Sequence, residues 1–143
     1  MIDTYTSLHV HSEYSSALLG FTDSIIHIKD ALSWCYKHGL RGMSLSDHEG
    51  CSGFVEMEQA VNEINLERPF QHIFANEIYL LSEQENELKD DPNKRPHYWH
   101  FLLNCLDEEG VHMLYELSSR AWLRSYVYRG LRRRPTFYSD IEE

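Results

Sequence analysis

Apolar residues in this chain recur at two alternating periods, and that alternation restricts the fold to a layered α/β arrangement. Tyr5 to His11 is short, β-prone and close to period two. Ser24 to His38 carries Ile25, Ile28, Leu32 and Cys35, which is helical spacing, with Thr22 or Asp23 as the expected cap and Gly39 as the stop. Gly42 to Ser46 reads as a second strand and Ser52 to Ile64 as a second helix. Ile73 to Leu81 and Tyr98 to Leu106 read as a third and a fourth strand. A polar stretch from Ser82 to Pro96 separates these two as an exposed loop, and Glu108 to about Tyr126 forms a last helix. The order β-α-β-α-β-loop-β-α predicts parallel strands joined by right-handed crossovers, with functional groups at the C-terminal ends of the strands.

The polar residues fall on that frame in a pattern. His9 and His11 stand two apart at the end of the first strand, so both imidazoles face the same way. Asp47 and His48 end the second strand, ahead of a Glu49-Gly50 turn. Glu77 interrupts the third strand between Ala75 and Ile78, and His100 precedes Phe101-Leu102-Leu103 in the fourth. One histidine on a strand is commonly a hydrogen-bonded or surface group, and Ser46-Asp47-His48 alone reads equally as a turn with a capping aspartate. Glu77 is harder to dismiss, because a buried carboxylate without a cation costs several kcal/mol. Four successive strands each delivering such a residue near one edge point to bound divalent cations. Imidazole suits Zn, Fe and Mn; carboxylate suits Mn and Mg. Two such ions about 4 Å apart would suit phosphoester hydrolysis.

The runs Leu8-His9-Val10-His11-Ser12-Glu13, Leu45-Ser46-Asp47-His48-Glu49, Asn76-Glu77-Ile78-Tyr79 and His100-Phe101-Leu102-Leu103 resemble the motifs of the PHP (polymerase and histidinol phosphatase) family. The stretch from Cys105 to Trp122 resembles the branch found at the N-terminus of bacterial and phage DNA polymerase III alpha subunits. Metal-dependent amidohydrolases also open with His-x-His, but the Asp47-His48 pair and this last stretch favour PHP. The resemblance implies a distorted seven-stranded, TIM-like β/α barrel and metal-dependent phosphoesterase chemistry, in some polymerases a 3′–5′ exonuclease and in others a metal-free scaffold. It implies that His9, His11 and Glu77 hold one ion, that Glu77 and His100 share a second, and that His48 helps hold a third. Glu77 would act catalytically. Asp47, also counted with the catalytic groups, would orient a histidine from behind. The further ligand the family carries after the second histidine has no counterpart in Ala17-Leu18-Leu19-Gly20, with Asp23 and Glu13 the nearest acids. Two ions of Zn, Mn or Fe are therefore expected rather than three.

Length sets the remaining expectations. At roughly 30 residues per β/α unit, the 143 residues give about four units of a single domain. The unpaired strand edges of a partial barrel then call for another polymerase polypeptide or a second copy to complete it. The substrate implied is a DNA 3′ end or a related phosphoester. The net charge of −10 is uneven, since six arginines lie between Arg120 and Arg134 without an acid among them. That stretch is expected to be a solvated helix end and connection, with phosphate contacts the sharper alternative. Cys35, Cys51 and Cys105 are odd in number and lack Cys-x-x-Cys spacing, so free thiols in a reducing cytoplasm are expected. No apolar run approaches a membrane span of roughly 18 residues. His27, His38, His72, His97 and His112 are expected to be structural or exposed, and Trp34, Trp99 and Trp122 to be core.

Overall fold

The computed structural model describes residues 5–15, 22–64 and 66–142. The segment Ala17-Leu18-Leu19-Gly20 lies outside the described residues. Three parallel-paired strands form the first layer: β1 (Thr6–Ser7), β2 (Gly42–Leu45) and β3 (Gln71–Leu81). Two helices connect them, α1 (Ile28–Lys37) and α2 (Phe54–Glu63). Ile28, Leu32 and Cys35 of α1 and Phe54, Met57 and Ala60 of α2 bury against Met43 and Leu45 of β2. This is the apolar stripe that helical spacing dictates. The parallel β/α opening is the one the sequence predicts.

Three boundaries differ from expectation. β1 is only two residues long, yet the chain stays beside β2, because Ser46 N donates to Val10 O at 2.9 Å. α1 begins at Ile28, behind His27 rather than Thr22 or Asp23, and leaves Ile25 exposed. The polar stretch after β3 is partly ordered as α3 (Glu83–Glu87), capped by Ser82 Oγ, and a following 3₁₀ turn.

The fourth strand, β4 (Trp99–Asn104), runs antiparallel to β3, which corrects the all-parallel expectation. The direction has a consequence for the site. His100 opens its strand, and only an antiparallel strand lays its start beside the C-terminal half of β3, where His100 pairs with Tyr79. β3 is long enough to serve three partners. β2 pairs with Gln71 to Phe74, and β7 (Pro135–Phe137) pairs in parallel with Tyr79 to Leu81. Tyr79 and Leu80 pair with β4 as well, so β7 lies on the edge opposite β4.

The arginine-rich stretch is more structured than a connection. α4 (Glu108–Leu123) ends at Leu123, and a hairpin of β5 (Tyr126–Tyr128) and β6 (Leu131–Arg133) leads into β7 and the short α5 (Ser139–Glu142). Arg124 holds Asp140 with both terminal guanidinium nitrogens, at 2.6 and 2.9 Å. The tryptophans are not core: Trp34, Trp99 and Trp122 are 56%, 55% and 40% exposed and lie on His38, His97 and Arg134 respectively. All three cysteines are free. No helix among the described residues is long and apolar enough to cross a membrane.

Candidate metal centre

Two loops and two strands meet at Glu77. The loop after β1 carries His9 and His11; the end of β2 carries His48. Backbone bonds extend the β2 ladder to that point: Glu77 N donates to Asp47 O at 3.1 Å, and Glu49 N donates to Glu77 O at 2.9 Å, so His48 and Glu77 form a parallel bridge. Every site residue the sequence singles out as a ligand reaches this place.

Glu77 is 4% exposed and ringed by imidazoles. His9 Nε2 and His11 Nε2 stand 2.8 and 2.7 Å from the same oxygen, Oε2, and 3.0 Å from each other. His100 Nδ1 contacts the other oxygen, Oε1. His48 Nε2 is 3.8 Å from Glu77 Oε2 and 3.9 Å from Asp23 Oδ1. These last gaps exceed a hydrogen bond. They come near the spacing of two ligands on one ion, roughly 3 to 3.5 Å when each bond is about 2.0–2.2 Å.

The electrostatics follow from the contacts. Burial pushes the Glu77 carboxyl upward, but bonds from His11, His9 and His100 and the nearby His48 outweigh it and hold the group at about 2. The bond to Glu77 raises His11, and burial lowers His48. Glu77 is therefore an anion among nitrogen donors, which is the donor set a divalent cation takes.

Three overlapping groups place their ligand atoms within 4.8 Å of one another: His9, His11 and Glu77; His11, Asp23 and His48; and His48, Glu77 and His100. The first is the trio expected for one ion. In the third, His48 joins Glu77 and His100, the pair expected to share another. The second contains Asp23, one of the two acids nearest the place of the missing family ligand. Asp23 Oδ2 lies 2.8 Å from His11 Nδ1, and Oδ1 faces His48. Its carboxylate serves the site instead of capping α1. No period or spacing marks Asp23, because it arrives by an irregular loop. Glu13, the other acid weighed, turns away to His27 Nδ1 at 2.7 Å.

Asp47 has a different place from the one expected. Its carboxylate accepts from Ser12 N at 2.6 Å, Ser12 Oγ at 2.8 Å and Ser15 Oγ at 2.9 Å. Ser15 Oγ in turn accepts from His48 N at 3.0 Å. Asp47 thus clamps the His9-His11 loop to the end of β2 through backbone and hydroxyls, not through a histidine ring. Ser46 completes the clamp, its Oγ accepting from Val10 N at 2.9 Å. The remaining histidines, His27, His38, His72, His97 and His112, lie outside the three groups.

The PHP domain model matches residues 7–142. The chain belongs to the PHP family. Among curated PHP relatives, a DNA-directed DNA polymerase of Bacillus phage SPbeta is 32% identical over 142 residues, 94% of this chain and 10% of that protein. The DNA polymerase III subunit alpha of Chlamydia trachomatis is 29% identical over 125 residues, 87% of this chain and 9% of that one. An error-prone DNA polymerase of Cutibacterium acnes is 30% identical over 137 residues, 95% of this chain and 11% of that one. The PHP chain thus spans about a tenth of the length of these relatives. A solved structure from Bifidobacterium adolescentis, provisionally described as a metal-dependent phosphoesterase, overlays on 85% of this chain and 35% of its own, with a TM-score of 0.49 at 19% identity.

Proposed function

We propose that this PHP domain holds divalent metal ions for phosphoester hydrolysis at a DNA 3′ end, as part of a replicative polymerase. The observation that carries the reading is Glu77: a buried carboxylate with three histidine nitrogens, from two separate segments, on its two oxygens. His9, His11, Glu77, His48 and His100 would hold the ions, with Asp23 closing the group that His11 and His48 begin. Bound ions would supply Lewis-acid charge opposite a phosphate and lower the pKa of water. The chain's own part is positional. Glu77 spans the rings with its two oxygens, and Asp47 keeps the His9-His11 loop against β2. The polymerase names of the relatives support a nucleic-acid substrate, and the acidic body makes cations at the site necessary for an approaching phosphate.

Hydrolysis of a 3′-end or model phosphoester substrate, assayed with Mn²⁺ or Zn²⁺, tests this reading. Turnover is expected to vanish in Glu77→Ala, and unchanged turnover in that variant would sink it.

A second reading, an assembly module without its own turnover, draws on one observation. Among the described residues β4 pairs with β3 alone, and Trp99 and Phe101 on it are 55% and 45% exposed, with Leu106 beyond it at 97%. Another polymerase polypeptide or a second copy of the chain would cover that edge and complete the barrel. This reading expects no metal-dependent turnover from the purified chain and a stable complex with the partner.

A further inference from the structure

Glu49 is built into the fold more tightly than any role so far given requires. Its backbone is left-handed, at φ 55°, an uncommon conformation for a residue with a side chain. Such a conformation persists where its surroundings over-determine it. Three contacts do so. Glu49 N donates to Glu77 O at 2.9 Å. Trp122 Nε1 donates to Glu49 O at 3.0 Å. The carboxylate accepts from Arg134 N at 3.2 Å and from an Arg134 guanidinium nitrogen at 2.9 Å. The pair is buried, with Glu49 and Arg134 side chains 1% and 4% exposed. The guanidinium lies 4.0 Å from the centre of the Trp122 ring.

A buried ion pair is weak grounds for stability, since apolar residues of similar volume often do as well or better. Its value here is geometric. Glu49 follows His48, whose own N–H is fixed by Ser15, and it bonds the carbonyl of Glu77. One turn therefore sets both partners of the His48–Glu77 bridge, and Arg134 holds that turn from 85 residues away. We propose that Arg134 is a positioning residue for the metal centre, acting through Glu49 to fix His48 and Glu77 at ligand spacing. This rests on the metal-centre reading above. Without the guanidinium, the buried Glu49 carboxylate loses the partner that anchors it. The left-handed turn then loses its side-chain anchor, and with it the geometry of the bond to Glu77 O loosens.

The test is Co²⁺ titration of the full chain, followed by visible absorption, for wild type, Arg134→Met and Arg134→Lys. Loss of a partner behind the ligands is expected to weaken Co²⁺ binding ~10- to 100-fold in Arg134→Met and to alter its absorption bands. Arg134→Lys keeps the charge but not the fork, and should fall between. Should Arg134→Met fail to fold, Trp122→Phe keeps an aromatic ring, though a smaller one, and removes the bond to Glu49 O, and a smaller loss in the same direction is expected. A lower melting temperature with Co²⁺ affinity within twofold and unchanged bands would overturn the proposal. A melting-temperature cycle of Arg134→Met with His48→Ala, run metal-free, decides it even if the wild type takes up no Co²⁺ and the metal reading itself fails. Losses clearly less than additive support the link, and additive losses refute it.

Discussion

His11 Nδ1 and Asp23 Oδ2 lie 2.8 Å apart, joined across 12 residues of chain, and Asp23 also faces His48. That contact supplies an acid where the first motif's own, Glu13, turns away to His27. Asp23→Ala is expected to remove one ion position, that of His11, Asp23 and His48, and to leave the two positions built on Glu77. Metal content measured on wild type and variant side by side checks this. Equal content in both would show that Asp23 only orients His11.

Asp47 accepts three hydrogen bonds from Ser12 and Ser15 in a buried place. Asp47→Ala strands those donors, which should cost roughly 2–4 kcal/mol of folding stability. Asp47→Asn keeps the volume and one oxygen, and should cost less. Urea unfolding of both variants measures the difference, and an Asp47→Ala chain as stable as wild type would remove the clamp from the account.

Gly42 marks a close approach between β2 and β3. A Cβ there would meet Gln71 O at 2.3 Å and Gln71 Cβ at 2.7 Å, and the first of these is backbone that cannot rotate away. Gly42→Ala should push the strands apart and destabilise the chain by about 1–3 kcal/mol. The same separation lies on the ladder that carries His48 to Glu77, so metal uptake should fall with stability.

The Arg124–Asp140 pair gives a pH dependence away from the candidate metal centre. Burial raises the Asp140 carboxyl, but bonds from Arg124 and from Phe137 N outweigh this and leave it below its ordinary value. A carboxyl lowered by folding contributes stability above its unfolded value, and that stability is lost as pH falls through the lower folded value. The melting-temperature gap between wild type and Asp140→Asn should therefore be widest near neutrality and narrow below about pH 4. A gap independent of pH would show that the charge is not what matters.

Much of this arrangement was legible in the residues, for physical reasons. Helices α1 and α2 announce themselves because Ile28, Leu32, Cys35, Phe54 and Met57 must share a buried stripe. The candidate ligands announce themselves because His9, His11, Glu77 and His100 are polar groups on segments otherwise bound for the sheet. The direction of β4 was not legible, since alternation within Trp99 to Asn104 is the same in either direction and only tertiary pairing decides it. β7 was missed because three residues beginning with Pro135 carry no period. The choice between Asp23 and Glu13 was not legible, because the loop that brings Asp23 to the site has no period either. The Glu49–Arg134 contact spans 85 residues, beyond the reach of any local pattern.

The central claim is that these segments assemble a metal centre, and metal content tests it most directly. Protein purified without chelator is analysed for Zn, Fe and Mn beside a His9→Ala/His11→Ala double variant. One or more equivalents in the wild type, reduced in the double variant, is the result this account predicts. No metal in the wild type, or the same amount in both, would contradict it.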